Sequence, residues 1–334
     1  MQLMLRAFLT VIGILLVSSG AQAQSCSFTV ANVNFGNIDV LPGASVATTS
    51  TINVTCSGGP PTTAYVHICL NLGPGNPPTS GAGSTGAVRH MRTAAGLALD
   101  YSFYRNLGNT QPWGATTATA LGTPAELDLV RPSGGSVSSS ATIYATVSSS
   151  QTTAPPGAYS SVFSVTADAR FDYAFRNNAT PVPTCSAGGY TSVIPNFSVL
   201  ATILANCLIT AAPDLDFGAV GVLTAAVAGT TSVTARCTST TTYNIGLSVG
   251  LGVGATVATR RMTGPGGATI AYSLYRPPGP PLYASVWGTT IGTNTIGGTG
   301  TGLTQTTTVY GLVPVQSTPV PGNYQDTAVV TVTY

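Results

Sequence analysis

Lysine is absent from this 334-residue chain, histidine occurs only twice, and charged residues make up 6% of it. All eleven cations are therefore arginines, set against nine acids for a formal charge of +2. So neutral a chain makes a poor partner for nucleic acid or an anionic membrane surface. Disorder is excluded by the same composition, since 43% of the residues are hydrophobic and disordered chains pair low hydrophobicity with high charge. The surface must instead be covered largely by Thr, Ser, Gly and Asn, a covering that suits dense packing in a fibre and that a plain secreted β-protein could share. Beyond the first two dozen residues no apolar run reaches the roughly 18 to 20 residues of a membrane helix. No 3.6-residue apolar period lasts beyond two turns either, so helices should be scarce.

The residues that catalysis needs are equally sparse. His67 and His90 are the only candidates for a Ser-His-Asp base, and neither has the setting of one. His67 precedes Cys69 by two residues, which in a strand puts both on one face and could suit a metal, but no second ligand pair follows. The nine acids form no recognisable glycosidase pair, and Gly297 to Gly302 lacks the Lys of a phosphate loop and reads as a turn. No enzyme, cofactor or metal is expected.

What is present begins with an export signal. Residues 1–23 hold one charge at Arg6, an apolar run over 7–17 and the small-residue site Ala21-Gln22-Ala23, the pattern of a secretory signal peptide. The mature chain should begin near Gln24. Acylation of Cys26 is disfavoured, because Gln24 stands where a lipoprotein site wants a small residue. About 310 residues then remain, enough for two domains. Six cysteines in an exported chain imply disulfides, with fifteen possible pairings.

An internal repeat reduces that number. Cys26, Phe35-Gly36 and Cys56 are matched by Cys207, Phe217-Gly218 and Cys237, with spacings that agree to within one residue. Arg89-His90-Met91 and Tyr101-Ser102-Phe103-Tyr104-Arg105 are echoed by Arg260-Arg261-Met262 and Tyr272-Ser273-Leu274-Tyr275-Arg276, at a constant offset of 171. Trp113-Gly114 matches Trp287-Gly288, and Pro156-Gly157-Ala158-Tyr159 matches Pro321-Gly322-Asn323-Tyr324. Ordered matches of this length mark a duplicated domain. Each copy reads as short strands rich in Val, Ile, Thr and Tyr, separated by Gly, Pro and Asn, which argues for a β-sandwich. In each copy the first two cysteines fall at the ends of the first and second strands, giving Cys26-Cys56 and Cys207-Cys237, and leaving Cys69-Cys185.

The ordered set of Cys, Phe-Gly, second Cys, Arg-x-Met, Tyr-Ser-x-Tyr-Arg, Trp-Gly and Pro-Gly-x-Tyr resembles the spore coat protein U domain of archaic chaperone-usher (Csu-type) pili, twice over. The resemblance implies two tandem immunoglobulin-like β-sandwiches, completion by a donated strand, and export through a periplasmic chaperone and an outer-membrane usher.

The two copies differ at their ends. Residues 24–206 form the expected N-terminal adhesin domain, whose linker 191–205 carries the alternating Phe197, Val199, Ala201 and Ile203 and is expected to act as its own donor strand. An ordinary linker would expose those four apolar side chains at a cost. Residues 207–334 form the expected pilin domain, which ends ten residues after Tyr324. Its strand Ala328, Val330, Val332, Tyr334 should then border an open edge, a hazard that another chain's strand remedies. Only Gln24-Ser25 precede Cys26 in the expected mature chain, too little to donate a strand, which points to the distal end of a fibre. The function so read is a secreted tip adhesin mediating surface attachment and biofilm formation, with chaperone, usher, a neighbouring pilin and an abiotic or host surface as partners. A shaft or adaptor pilin and a free carbohydrate-binding sandwich are the alternatives. Candidate contact loops are 57–62, 106–124 and 176–190, with Pro60, Pro61, Leu107, Trp113, Leu121, Val182, Pro183 and Tyr190. Trp113 has a counterpart at Trp287, so a core role competes with contact there.

Overall fold

The computed structural model describes residues 23–59, 62–77, 82–132, 135–281, 283 and 285–334. The signal segment, apart from its last residue, together with Pro60 and Pro61, lies outside them. The described residues are almost entirely β, with two three-residue 3-10 turns as the only helical elements among them. In the first half the strands are β1 (Ser25–Val30), β2 (Val33–Ile38), β3 (Val46–Ser57), β4 (Tyr65–Leu72), β5 (Ser84–Thr85), β6 (Val88–Arg92), β7 (Ala98–Tyr104), β8 (Ala125–Val130), β9 (Val137–Val147), β10 (Gly157–Phe163), β11 (Ala169–Arg176), β12 (Thr191–Val193) and β13 (Phe197–Ile203). The second half adds β14 (Cys207–Ala211), β15 (Val227–Cys237), β16 (Thr242–Leu247), β17 (Arg260–Thr263), β18 (Thr269–Tyr275), β19 (Ile296–Thr299), β20 (Thr304–Val313) and β21 (Val330–Thr333).

Each half is a sandwich of two sheets around its own core. The first pairs a sheet ordered β1-β3-β9-β7-β6-β10-β13-β2, with β5 beside β6, against a sheet ordered β12-β11-β4-β8. The second pairs β14-β15-β20-β18-β17 with β19-β16-β21. Alternation drives the packing, since the inward residues of β9 and β10, among them Ile143, Ala145, Val147, Tyr159 and Phe163, are buried and their neighbours less so. β4 is apolar along most of its length and buried along nearly all of it, as a strand covered on both faces must be.

The repeated motifs fold into repeated devices. Trp113 Nε1 donates to Leu70 O at 2.8 Å, and Trp287 Nε1 to Ile245 O at 2.9 Å. Arg89 is fully buried and gives Nε to Gly73 O and Nη2 to Leu72 O and Trp113 O, each at 2.7 Å. Arg260 repeats this with Ser248 O, Leu247 O and Trp287 O. Both arginines thus cap carbonyls where β4 and β16 end, in place of a ladder that stops there. Burial pulls the Arg89 guanidinium down to about 10. The Pro-Gly-x-Tyr motif is a tyrosine corner, with Tyr159 Oη donating to Pro155 O at 2.8 Å and Tyr324 Oη to Val320 O at 2.6 Å.

Two outcomes follow. Arg89→Met orphans three buried carbonyls, and guanidinium denaturation should register a loss of about 3 kcal/mol or more in the first domain. Desolvation pushes the Tyr159 hydroxyl up to about 12. A group raised on folding stabilises fully below its unfolded value, and that contribution is lost as pH climbs through the folded one. Tyr159→Phe should therefore cost about 1 kcal/mol at neutral pH, and denaturation midpoints should show this deficit shrinking between about pH 10 and 12.

Candidate strand-acceptor cleft and outward loops

The key to the site is how the first sandwich closes. β13 lies between β10 and β2, antiparallel to the former from Gly157↔Ile203 to Phe163↔Phe197, and parallel to the latter from Val199↔Val33 to Ile203↔Ile38. Phe197, Val199, Ala201 and Ile203 all point into the core and are at most 3% exposed. Phe197 stacks on Phe163 with ring centroids 4.7 Å apart. Full burial of each larger side chain stabilises by roughly 1.5 to 3 kcal/mol, so this segment is a core strand.

The second sandwich has the walls of that seat without the strand between them. Phe35-Gly36 on β2 corresponds to Phe217-Gly218, and both turns are made alike, with Asn34 Oδ1 accepting from Gly36 N and Asp216 Oδ1 from Gly218 N, each at 2.8 Å. The start of β10 at Gly157 corresponds to Gly322. Between residues 212–217 and 324–328 lies a cleft of about 700 Å³. Its floor includes Val233, Leu247, Met262, Tyr272, Leu274 and Val309. Among the described residues none occupies the place that β13 takes in the first half.

The wall differs from the one expected. Ala328, Val330, Val332 and Tyr334 do not form one strand along the opening. β21 pairs with β16, Val332 opposite Ile245 and Val330 opposite Leu247, in the other sheet. Ala328 and Val330 line the cleft, whereas Val332 packs on the core from β21. Tyr334 is exposed, its hydroxyl donating to Asn206 Oδ1 at 3.2 Å. The reason is a change of sheet within the tail, as between β10 and β11, so the free flank is 324–328.

The outward loops also divide. Trp113 and Leu121 are 1% and 2% exposed and belong to the core, which corrects their assignment to a contact surface. Trp113 is pinned by Leu70, and Leu121 closes a 3-10 turn. Leu107 is 79% exposed. Its hairpin is tied by Asn109 Nδ2 to Thr146 Oγ1 at 3.1 Å, next to Val147, which pairs with Val46 at the opposite end of β3 from Ser57. Loop 106–112 thus does not join the others. Loop 176–190 keeps Val182 exposed and Pro183 half-buried, while the half-buried Tyr190 donates its hydroxyl to Thr184 O at 3.1 Å. Val130, exposed at the end of β8, was missed in the sequence because β8 alternates like any half-buried strand.

All three disulfides, Cys26–Cys56, Cys69–Cys185 and Cys207–Cys237, are formed. Cys69–Cys185 anchors loop 176–190 to β4. Beside it the buried His67 places Nε2 3.4 Å from Cys69 Sγ and Nδ1 3.0 Å from Asp128 Oδ1, which also accepts from Arg176 Nη2 at 2.8 Å. With both sulfurs in the S–S bond neither is a thiolate ligand, so this cluster braces the loop.

A family model described as Spore Coat Protein U domain matches residues 12–166 and 193–331. None of the curated proteins matches in sequence. Among solved structures, a chaperone and tip adhesion subunit pre-assembly complex from the archaic chaperone-usher Csu pili of Acinetobacter baumannii is similar at 16% identity and a TM-score of 0.51, covering 93% of this chain and all of that one. A chaperone-tip adhesin complex of CFA/I fimbriae aligns at 11% identity over 91% of this chain and 96% of that one, with a TM-score of 0.30.

Val199→Asp should open the first sandwich, since a carboxylate buried there has no partner. Hydrogen exchange should speed up in β10 and β2 at least tenfold, with β15 and β20 unchanged.

Proposed function

The chain belongs to the Spore Coat Protein U domain family, and from that premise we propose that it is the tip adhesin subunit of a chaperone-usher pilus, a non-catalytic protein acting in surface attachment and biofilm formation. One observation carries the reading: the same seat is filled from within in the first sandwich and open in the second. A self-filled sandwich has no room for another subunit's strand. An open one does, and its apolar floor and unpaired flank call for one. The periplasmic chaperone would occupy the cleft first and a neighbouring pilin afterwards, with secretion through the outer-membrane usher to the cell surface.

The domain assignment follows, with residues 24–206 as the adhesin domain and 207–334 as the pilin domain. The adhesin domain leaves loop 176–190 beside the Tyr65 end of β4, away from Ile203, and Val130 and Val182 are exposed there, with Pro183 half-buried. A partly apolar rim of this kind, with little charge beyond the Arg176–Asp128 pair, suits attachment to hydrophobic abiotic or host surfaces. The similarity to a tip adhesion subunit complex supports the two-domain plan at the level of fold.

Protein recovered from assembled fibres should begin near Gln24. A mature N-terminus carrying a long alternating apolar segment ahead of Cys26 would make it a shaft pilin instead. Val130→Asp with Val182→Asp should reduce adhesion of piliated cells to a hydrophobic surface several-fold while leaving fibre number, counted by electron microscopy, unchanged.

A further inference from the structure

The open cleft differs from the filled seat by a charge. Counting from the two tyrosine corners, Ser161 stands two residues past Tyr159, and Asp326 two past Tyr324. In the filled seat Ser161 is fully buried and pairs with Val199 of β13. Tyr101 and the positive-φ Gly75 lie against it. Asp326 has neighbours of the same kind. Tyr272 Oη donates to its Oδ2 at 2.8 Å, and the N–H groups of Leu251 and Thr327 donate to Oδ1 at 2.7 and 2.8 Å. Gly250, the counterpart of Gly75, has positive φ and is so close to Asp326 that a Cβ would not fit. The cleft has therefore kept its geometry and exchanged a hydroxyl for a carboxylate.

That exchange alters what can be seated. A strand lying as β13 does brings one inward side chain directly opposite Asp326, with Cβ atoms about 4.5 to 5.5 Å apart, and shuts water out. Three donors already reach the carboxylate, which offers about four lone-pair sites. Arg260, the nearby cation, spends four of its five N–H donors on the carbonyls of Leu247, Ser248, Val257 and Trp287. A valine in the opposing position would bury the remaining site dry, at a cost. A hydroxyl or cationic side chain would satisfy it.

We propose that Asp326 makes the second cleft select a strand from another polypeptide, alternately apolar but carrying a hydroxyl or cationic side chain in the register opposite Asp326, and reject β13 of a second copy, which brings Val199 there. The inference rests on the cleft being a strand acceptor. It makes Asp326 a guard against copies of this chain joining one another through their own strands.

The test uses the full chain extended at its C-terminus by a flexible linker and a copy of residues 195–205, unaltered or with Val199→Thr or Val199→Lys in the appended copy. Amide-exchange protection in β18 and β20 reports occupancy. The Thr and Lys extensions should protect these strands at least tenfold more than the unaltered one, and Asp326→Ser should reverse the order, with Asp326→Asn as a second neutral variant. If no extension protects any of these chains above the unextended protein, the cleft is not a strand acceptor and both readings fall. If the extensions protect alike, or keep the same order after Asp326→Ser, the selectivity is overturned while the acceptor reading stands.

Discussion

The structure depends on one constraint: the gap between β10 and β2 must be occupied by a strand. β2 and β10 are hydrogen-bonded to β13 and not to each other, so without it the first sheet loses its last two strands as a continuous ladder. Four inward side chains would leave the core at the same time. The first sandwich meets the constraint from its own chain, where tethering makes the seated state a local equilibrium that no second molecule must supply. In the second, among the described residues, the same place is open, and the proposed strand acceptor would gain stability with its occupant's concentration and affinity.

Much of this was legible in the residues. The duplicated cysteines, the Trp-Gly pairs and the alternation of Phe197, Val199, Ala201 and Ile203 each carry a short-range pattern that the fold obeys directly, because a period of two has only one way to bury its apolar half. What was not legible depended on long-range geometry. The tail from Ala328 to Tyr334 reads as one alternating strand, yet the switch of sheet ahead of β21 is set by the neighbours it meets and leaves no local mark. Trp113 and Leu121 look like loop residues because they lie outside the main strands. Their burial comes from a loop folding back over β4, which only the repeated Trp287 hinted at.

The scarcity of charge finds its explanation in the same geometry. Several of the arginines are structural: Arg89 and Arg260 close off carbonyls at the ends of β4 and β16, and neither faces an acid at ion-pair distance among the described residues. A guanidinium does this with a planar fork of donors that an ammonium lacks. That a chain without lysine still buries three arginines, Arg89, Arg131 and Arg260, indicates that donors, more than charge, are what its β framework requires. Tyr159 and Tyr324 serve a related end, each fixing the turn that launches a cleft wall.

One consequence concerns rigidity. A wall that waits for a strand must hold its shape while unpaired, since a collapsed flank would hide the backbone groups that the strand must reach. The second sandwich has such supports on both sides: Asp216 fixes the turn at Gly218, and Asp326 holds Gly250 and Leu251 against the opposite flank. Ser248 adds to this, donating its N–H to Val329 O and accepting from Val329 N, each near 2.9 Å. These are backbone-directed bonds that do not depend on the cleft being filled. Under the proposed strand-acceptor role the cleft is thus preorganised, and an entering strand would pay mainly for its own ordering.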